Sequence, residues 1–392
     1  MLAALGADVI HVESPSRPDG MRMTGGMVRH RFPSWWEASA FFIAANANKR
    51  GLALDLSDPR GRAVLERLLE RCDAVVENFT PRVLESWGFR WEVIQQRNPK
   101  AILVRMPAFG LSGPWRDHTG FAQTMEQLTG LAWITGHRDD QPRIQRGPCD
   151  PLSGMHASFA LLVALAERKA RGRGCHVECT MVEGALNAAA EQILEFTCYG
   201  ARMTRQGNRS PAAAPQGLYP CAGSTPGRER WLALSVATDV QWAALVRLLG
   251  RPAWALRPEL ASLAGRRQHH DALDAELAPL LAKRERERWV AELLAAGIPA
   301  AAVEDPRAAS HCPQHLARGF FEQVEHPVIG RHPLPTLPFR YRSQDRWIRR
   351  PAPTLGQHNR EILTGLLGME EAELQALEEA GVIGTRPKGV GR

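Results

Sequence analysis

A carboxylate stands where the chain enters a long apolar run, GPCDPLSGMHASFALLVAL, residues 147–165. Asp150 is followed directly by Pro151 and, one turn on, by Gly154. Two roles suit these residue types. Asp is a favoured helix N-cap, and Pro is favoured at the first helical position, where its missing N–H would be unpaired anyway. Asp58-Pro59, ahead of RGRAVLERLLERC, has the same form, and the local pattern by itself favours the cap. The other role is chemical: a carboxylate at a strand-to-helix turn can act as a nucleophile.

Other chemistry-bearing groups read more plainly. Cys175-His-Val-Glu-Cys179 has the residue types of a metal site. The segment continues as a strand, however, where positions four apart sit several ångströms from each other, and no second pair follows, so no metal is expected. His269-His270 lies in a charged helical stretch and reads as a solvated face. Seven cysteines, an odd number in so long a chain, do not make a disulfide framework.

The 392 residues suffice for two domains with separate cores. A composition of 44% hydrophobic and 23% charged residues is that of a soluble globular protein. No uninterrupted apolar run reaches bilayer length, and MLAALGADVIHVE lacks the basic leader of a signal peptide, so no membrane association and a cytoplasmic location are expected. The net charge of +7 suits an anionic partner. That charge is spread along the chain with no aromatic-basic motif, and a polyphosphorylated small molecule accounts for it as well as nucleic acid does; the expectation taken is a small molecule and no nucleic acid.

The elements that position Asp150 follow from periodicity. Residues 8–13, 52–56, 74–78 and 101–106 are short strands, with a helix over 59–72 and helical turns between. Strands alternating with amphipathic helices mean βαβ units and a parallel sheet. The helix after Asp150 runs to about Lys169, and ARGRG breaks it before a strand at 175–181. QGNRSPAAAPQG, 206–217, reads as a linker. Beyond it come a strand, a helix capped by Thr238 or Asp239, further helices to Ala296 and another strand. Residues 332–354, with five prolines, wrap a surface before a final helical segment from Asn359.

Seven segments, in order and at the right spacing, resemble the family III CoA-transferases: GADVIHVE, NANKRGLALDL, DAVVENFTP, the Asp150-x-x-x-Gly154 turn, ARGRGCHVECTMVEGAL, APQGLYPCAG and APTLGQHNREIL. The resemblance covers essentially the whole chain. It implies an α/β fold with a large Rossmann-like CoA-binding domain over 1–205, a smaller α+β domain over 206–305, and a segment over 306–392 that returns to the large domain. It also implies an interlocked homodimer. Asp150 would then be the nucleophile, forming a mixed anhydride and an aspartyl-CoA thioester in turn, its pKa held low by the helix N-terminus. Neighbouring backbone N–H groups would receive the oxyanion. Leu54, Asn78, Phe79, Arg82 and Gly154 are the implied CoA contacts, with acyl-CoA and a carboxylic acid as substrates and no separate cofactor.

The chain departs from the pattern at several points. Family members begin earlier, with a first strand and an Ala-Gly-Pro turn, which points to a late-assigned start or a lost strand; a late start is the expectation. Ser14 and Ser86 stand where formyl-CoA transferases carry basic CoA contacts, and Arg82, a helical turn before Ser86, is the substitute candidate. AGSTPG, 222–227, is too short to be the glycine-rich flap of formyl-CoA transferases, which argues against formyl-CoA as donor. The related α-methylacyl-CoA racemases use the histidine of a Gly-His-Asp triplet. Here the triplet is Gly120-Phe121-Ala122, and neither His118 nor His156 occupies that position. A racemase-like enzyme and an inactive CoA-binding scaffold remain the alternatives.

Overall fold

Short runs rich in Val, Ile and Leu pair side by side in the same direction. In the computed structural model, which describes residues 1–24, 29–145 and 147–390, β1 (Ile10–Glu13) lies parallel to β2 (Arg50–Ala53), with Ile10 opposite Arg50. Helix α1 (Pro59–Leu69) follows, its start capped by the Asp58 side chain, which accepts the Arg60 N–H at 2.8 Å. Next come β3 (Ala74–Glu77), α2 (Pro81–Ser86), β4 (Ile102–Arg105), α3 (Ala122–Leu128), α4 (Cys149–Arg171), β5 (His176–Glu178) and α5 (Met181–Ala188). β4 is central in a parallel β3-β4-β5 sheet, and its Ile102, Leu103 and Val104 are wholly buried, as a strand covered on both faces must be. The expected parallel ladders therefore exist, in two sheets and not one. Gly174 sets the entry to β5: a β-carbon there would lie 1.8 Å from the Ala101 carbonyl oxygen.

The chain divides into two units. The first joins Met1–Thr129, Arg146–Ala190 and Pro313–Arg392; the second joins Gly130–Gln145 and Glu191–Cys312. A large domain over 1–205 and a small one over 206–305 thus differ from these units at residues 130–145, 191–205 and 306–312, all of which cluster with the second unit.

In the second unit β6 (Gln216–Pro220), β7 (Trp231–Ser235) and β8 (Ala300–Val303) form an antiparallel sheet in that order. Helix α6 (Asp239–Leu248) starts at Thr238, whose side chain and Gln241 form a reciprocal capping box. Trp242, Leu245, Leu273, Leu277, Trp289 and Leu293 fill the core. His270 is not on a solvated face as its charged sequence context suggests: it is buried, and its Nε2 accepts the Gln216 N–H at 3.0 Å. The sheet's need for a partner at β6 outweighs the polarity of the neighbouring residues.

The C-terminal segment returns to the first unit. β9 (Phe321–His326) and β10 (Gly330–Pro335) make an antiparallel hairpin whose second strand runs into the proline-rich stretch from residue 332, where only a surface wrap is expected. The final helical segment is two helices, α7 (Asn359–Gly365) and α8 (Glu371–Glu379), parted at Gly368, whose φ is +64°. Two of the recurring sequence segments meet here. Asn48, at φ +65°, donates to the Trp347 carbonyl (2.7 Å) and accepts the Arg349 N–H (2.7 Å). Asn359 Oδ1 accepts the Ala53 N–H at 2.8 Å.

Arg22 fastens the same joint. It is wholly buried, with Nη2 2.8 Å from Glu13 Oε1, Nη1 2.5 Å from Glu37 and Nη2 2.8 Å from the Pro353 carbonyl. Its guanidinium lies 3.6 Å from the Phe42 ring centroid. Removing one member of a buried ion-pair network strands the others, so Arg22→Ala should cost about 3–5 kcal/mol in denaturant unfolding. A loss below about 1 kcal/mol would show that Glu13 and Glu37 do not depend on it.

Candidate active site

Helix α4 runs back against the sheet. In its last turns Arg168 Nη1 donates to the carbonyls of Lys100 (3.1 Å) and Asp73 (3.3 Å), where the chain enters β4 and β3. In its first turn Cys149 Sγ lies 3.6 Å from the Met181 carbonyl, just beyond β5. The helix therefore delivers Asp150 to the carboxyl edge of the β3-β4-β5 sheet, the edge at which open parallel sheets bind ligands. Ser153, Ala157, Leu161 and Ala164 form its buried face. The approach of α5 is close because residue 184 is glycine, where a β-carbon would sit 3.2 Å from His156 Nδ1. His156 is thus packed between two helices.

Asp150 is not the N-cap. Pro148 already has helical backbone angles (φ −65°, ψ −22°), so the helix starts at Cys149, with Asp150 second and Pro151 third. Gly147, at φ +83°, makes the turn that permits this early start. Pro151 remains tolerable, since N–H groups in the first turn have no intrahelical acceptor. Anchoring falls to Glu126 of α3, whose Oε1 accepts the Cys149 N–H at 3.2 Å. Glu126 is wholly buried, and its Oε2 has no hydrogen-bond partner among the described residues. With the Cys149 N–H so engaged and Pro151 lacking one, the first turn offers fewer oxyanion donors than the sequence suggests.

The Asp150 side chain is exposed and makes no hydrogen bond among the described residues. Its pKa is raised, which corrects the expectation that the helix N-terminus holds it low. Partial burial is the larger cause, and the Glu126 carboxylate adds to it. The result is a more basic carboxylate than an ordinary aspartate.

Asn78, Phe79 and Arg82 follow β3 on the sheet's carboxyl edge and are all exposed. Their turn is held from beneath: Glu77 accepts the Phe79 N–H (2.7 Å) and pairs with Arg105 (2.6 Å), which also donates to the Pro81 carbonyl. Arg82 has no partner among the described residues, whereas the Ser86 hydroxyl is turned to the Val83 carbonyl of its own helix at 2.8 Å. A β-carbon at Gly154 would meet nothing within 4 Å, so open space lies over that residue. The Leu54 side chain lies apart from these. It is 1% exposed, in a core with Leu52, Val64 and Ile362, because the chain turns inward directly after β2. Arg17, three residues beyond Ser14 and in none of the recurring segments, is an exposed cation with no partner among the described residues. At the racemase position Phe121 is exposed, and His118 stacks on Trp115 with ring centroids 6.1 Å apart.

The described cysteines are unpaired, and among the described residues no cluster of His, Cys, Asp and Glu could hold a metal. By length and mean composition alone α4 could cross a membrane, although Asp150, Ser153, His156 and Ser158 interrupt its apolar run. Its inner face is packed on the sheet, and Met155, Phe159, Leu162 and Val163 are exposed on the outside.

A titration consequence follows from the raised pKa of Asp150. The folded state holds this proton more tightly than the unfolded chain. The group therefore stabilises the fold below the ordinary aspartate range, near pH 3.9, and that contribution is lost as pH rises through the higher folded value. Asp150→Asn does not titrate, so its stability relative to the parent should increase with pH above about 4. A relative decrease confined to pH values up to about 4, with no change above, would show a depressed pKa and a carboxylate held by the helix.

The sequence profile described as CoA-transferase family III matches residues 1–359. A succinyl-CoA–D-citramalate CoA-transferase from Chloroflexus aurantiacus is 33% identical over 98% of this chain and 93% of its own length. A formyl-CoA:oxalate CoA-transferase from Rhodopseudomonas palustris is 29% identical over 98% of this chain and 92% of its own. The crystal structure of a CAIB/BAIF family protein from Brucella suis superposes with a TM-score of 0.83 at 27% identity, covering 93% of each chain. With an α/β fold that carries an unpaired carboxylate to its sheet's ligand-binding edge, the chain belongs to CoA-transferase family III, enzymes that move CoA between a thioester and a carboxylate.

Proposed function

We propose that Asp150 carries the transfer as a covalent nucleophile. An oxygen of its carboxylate attacks the carbonyl carbon of the donor thioester. The carbon–sulfur bond breaks, CoA leaves as thiolate, and Asp150 is left in a mixed anhydride. The thiolate then attacks the Asp150 carbonyl, releasing the donor acid and forming an aspartyl-CoA thioester. The acceptor carboxylate attacks that thioester, expelling CoA thiolate and forming a second mixed anhydride; the thiolate then attacks the acceptor carbonyl, leaving with the acceptor acyl group as its thioester and restoring the Asp150 carboxylate. Each step exchanges one acyl bond for another, which is how covalent catalysis divides a barrier. The observation that carries this reading is the exposed Asp150 carboxylate, without a hydrogen-bond partner among the described residues and with its basicity raised.

The groups around it suit an acyl-CoA. Open space over Gly154 leaves room for the acyl chain. Phe79, edge-on to Trp87 with ring centroids 5.4 Å apart, offers an exposed aromatic face, and Arg82 and Arg17 offer free cations for phosphate. The name of the Chloroflexus relative makes succinyl-CoA and D-citramalate the first donor and acceptor to try. Asp150→Asn should fold and still bind CoA while its transfer falls on the order of a thousandfold or more, read as acceptor-CoA formed. Near-parental transfer by the Asn variant would refute the nucleophile; a parent inactive with a panel of acyl-CoA donors, yet stabilised by CoA, would instead mark a binding scaffold.

The apolar outer face of α4 is suited to a second copy of this chain, in keeping with the interlocked dimer of the family. An interlocked pair buries far more than the roughly 1,600 Å² of a standard interface, so the dimer should persist at nanomolar concentration without detergent. Sedimentation showing a folded monomer, or a protein that stays in solution only with detergent, would contradict it.

A further inference from the structure

Glu126 is a wholly buried carboxylate with one engaged oxygen and one that has no hydrogen-bond partner among the described residues. Such a group is costly: a buried charge wants a cation, and an unpaired buried oxygen forgoes the hydrogen bonds it had in water. Glutamine would accept the Cys149 N–H equally well without the charge. Anchoring the helix therefore does not account for a carboxylate at this place. Among the described residues no cation pairs with Glu126 or with Asp150, the residue adjoining Cys149. The Cys149 thiol beside them has its pKa raised by burial, which keeps it protonated and neutral, so it adds no charge to the site. On the neighbouring elements, Arg105 of β4 is committed to Glu77, and Glu183 of α5 bears on Cys179.

We propose that Glu126 is a positioning residue of the transfer reaction: its bonded oxygen fixes the first turn of α4, and its charge favours the acylated, uncharged form of Asp150 over the free carboxylate. This rests on Asp150 being the nucleophile. When an Asp150 oxygen bonds to the donor carbonyl carbon and the carbon–sulfur bond breaks, the negative charge leaves on the CoA sulfur. Two like charges in one partly buried site become one. Repulsion from Glu126 opposes the starting carboxylate and is relieved in the anhydride and in the aspartyl-CoA thioester alike. The raised pKa of Asp150 reports the same imbalance, because protonation neutralises the group just as acylation does.

The test compares the parent with Glu126→Gln, using acetyl-CoA and succinyl-CoA as probes and peptide mass spectrometry to read the fraction of Asp150 acylated or joined to CoA across pH. Glutamine keeps the acceptor for Cys149 N–H, so the melting temperature should hold. The adduct fraction should fall about tenfold as the repulsion is removed. The acidic limb of the labelling profile should move to lower pH, since Asp150 would lose its proton more readily. A purely structural role would move neither. A Gln variant that labels like the parent with the same pH profile would overturn the proposal, leaving Glu126 as an anchor only. A parent unlabelled at Asp150 by either thioester would overturn the nucleophile reading and the proposal with it. Should the Gln variant melt early, a stability cycle of Glu126→Gln and Asp150→Asn at neutral pH decides without substrate: repulsion predicts non-additive effects, and additivity would contradict it.

Discussion

Parallel strands cannot be joined by a tight turn; a crossover must carry the chain back to the edge where the first strand began. The crossover from β4 to β5 contains α4, whose end lies near the entry to the strands at Asp73 and Lys100. Its beginning must therefore lie at their exit. The position of Asp150 is a consequence of that direction. Everything that holds α4 to the sheet, from the small inner residues Ser153, Ala157 and Ala164 to the close approach at Gly184, also holds the carboxylate in place.

A reactive group at a helix start faces a conflict. Asp side chains readily satisfy backbone N–H groups, and one engaged in capping is both less basic and less free to react. In this chain the helix begins one residue before Asp150, and a carboxylate from another helix takes the Cys149 N–H. Asp150 is thereby released from structural duty. Arg82 and Phe79 show the same division of labour, since Glu77 and Arg105 shape their turn from below and leave both side chains exposed. The exposed groups can meet a ligand because buried ones have already fixed the backbone.

Much of this was legible in the sequence where pattern is local. The alternation of short strands and helices around residues 8–106 predicts parallel pairing, and Thr238 with Gln241 is readable as a capping box. Asp150 stood out for its neighbours Pro151 and Gly154. The anchor of its helix did not, because Glu126 lies 23 residues before Cys149 in a segment, AQTMEQL, that reads as an ordinary amphipathic turn. Long-range satisfaction of a single N–H leaves no periodic trace. His270 escaped for the same reason, its partner being the distant Gln216 N–H. Leu54 shows the converse limit: it lies within a recurring segment, and the segment's recurrence does not reveal that packing places this side chain in the core. The β9–β10 hairpin was hidden by its prolines, which sit in a two-stranded ribbon where each strand keeps a free edge.

The central claim, that the acyl bond passes through Asp150, has a direct atomic signature. In the sequence of steps proposed, the donor acid departs with an oxygen from Asp150, and an oxygen from the acceptor carboxylate is left behind. Turnover with an acceptor whose carboxylate is labelled with heavy oxygen should therefore place labelled oxygen in the peptide containing Asp150, detectable by mass spectrometry after digestion. Asp150→Asn, carried through the same turnover conditions, should acquire none. Turnover that forms acceptor-CoA while leaving the Asp150 peptide unlabelled would contradict the account, because it would show that the acyl groups never become bonded to that side chain.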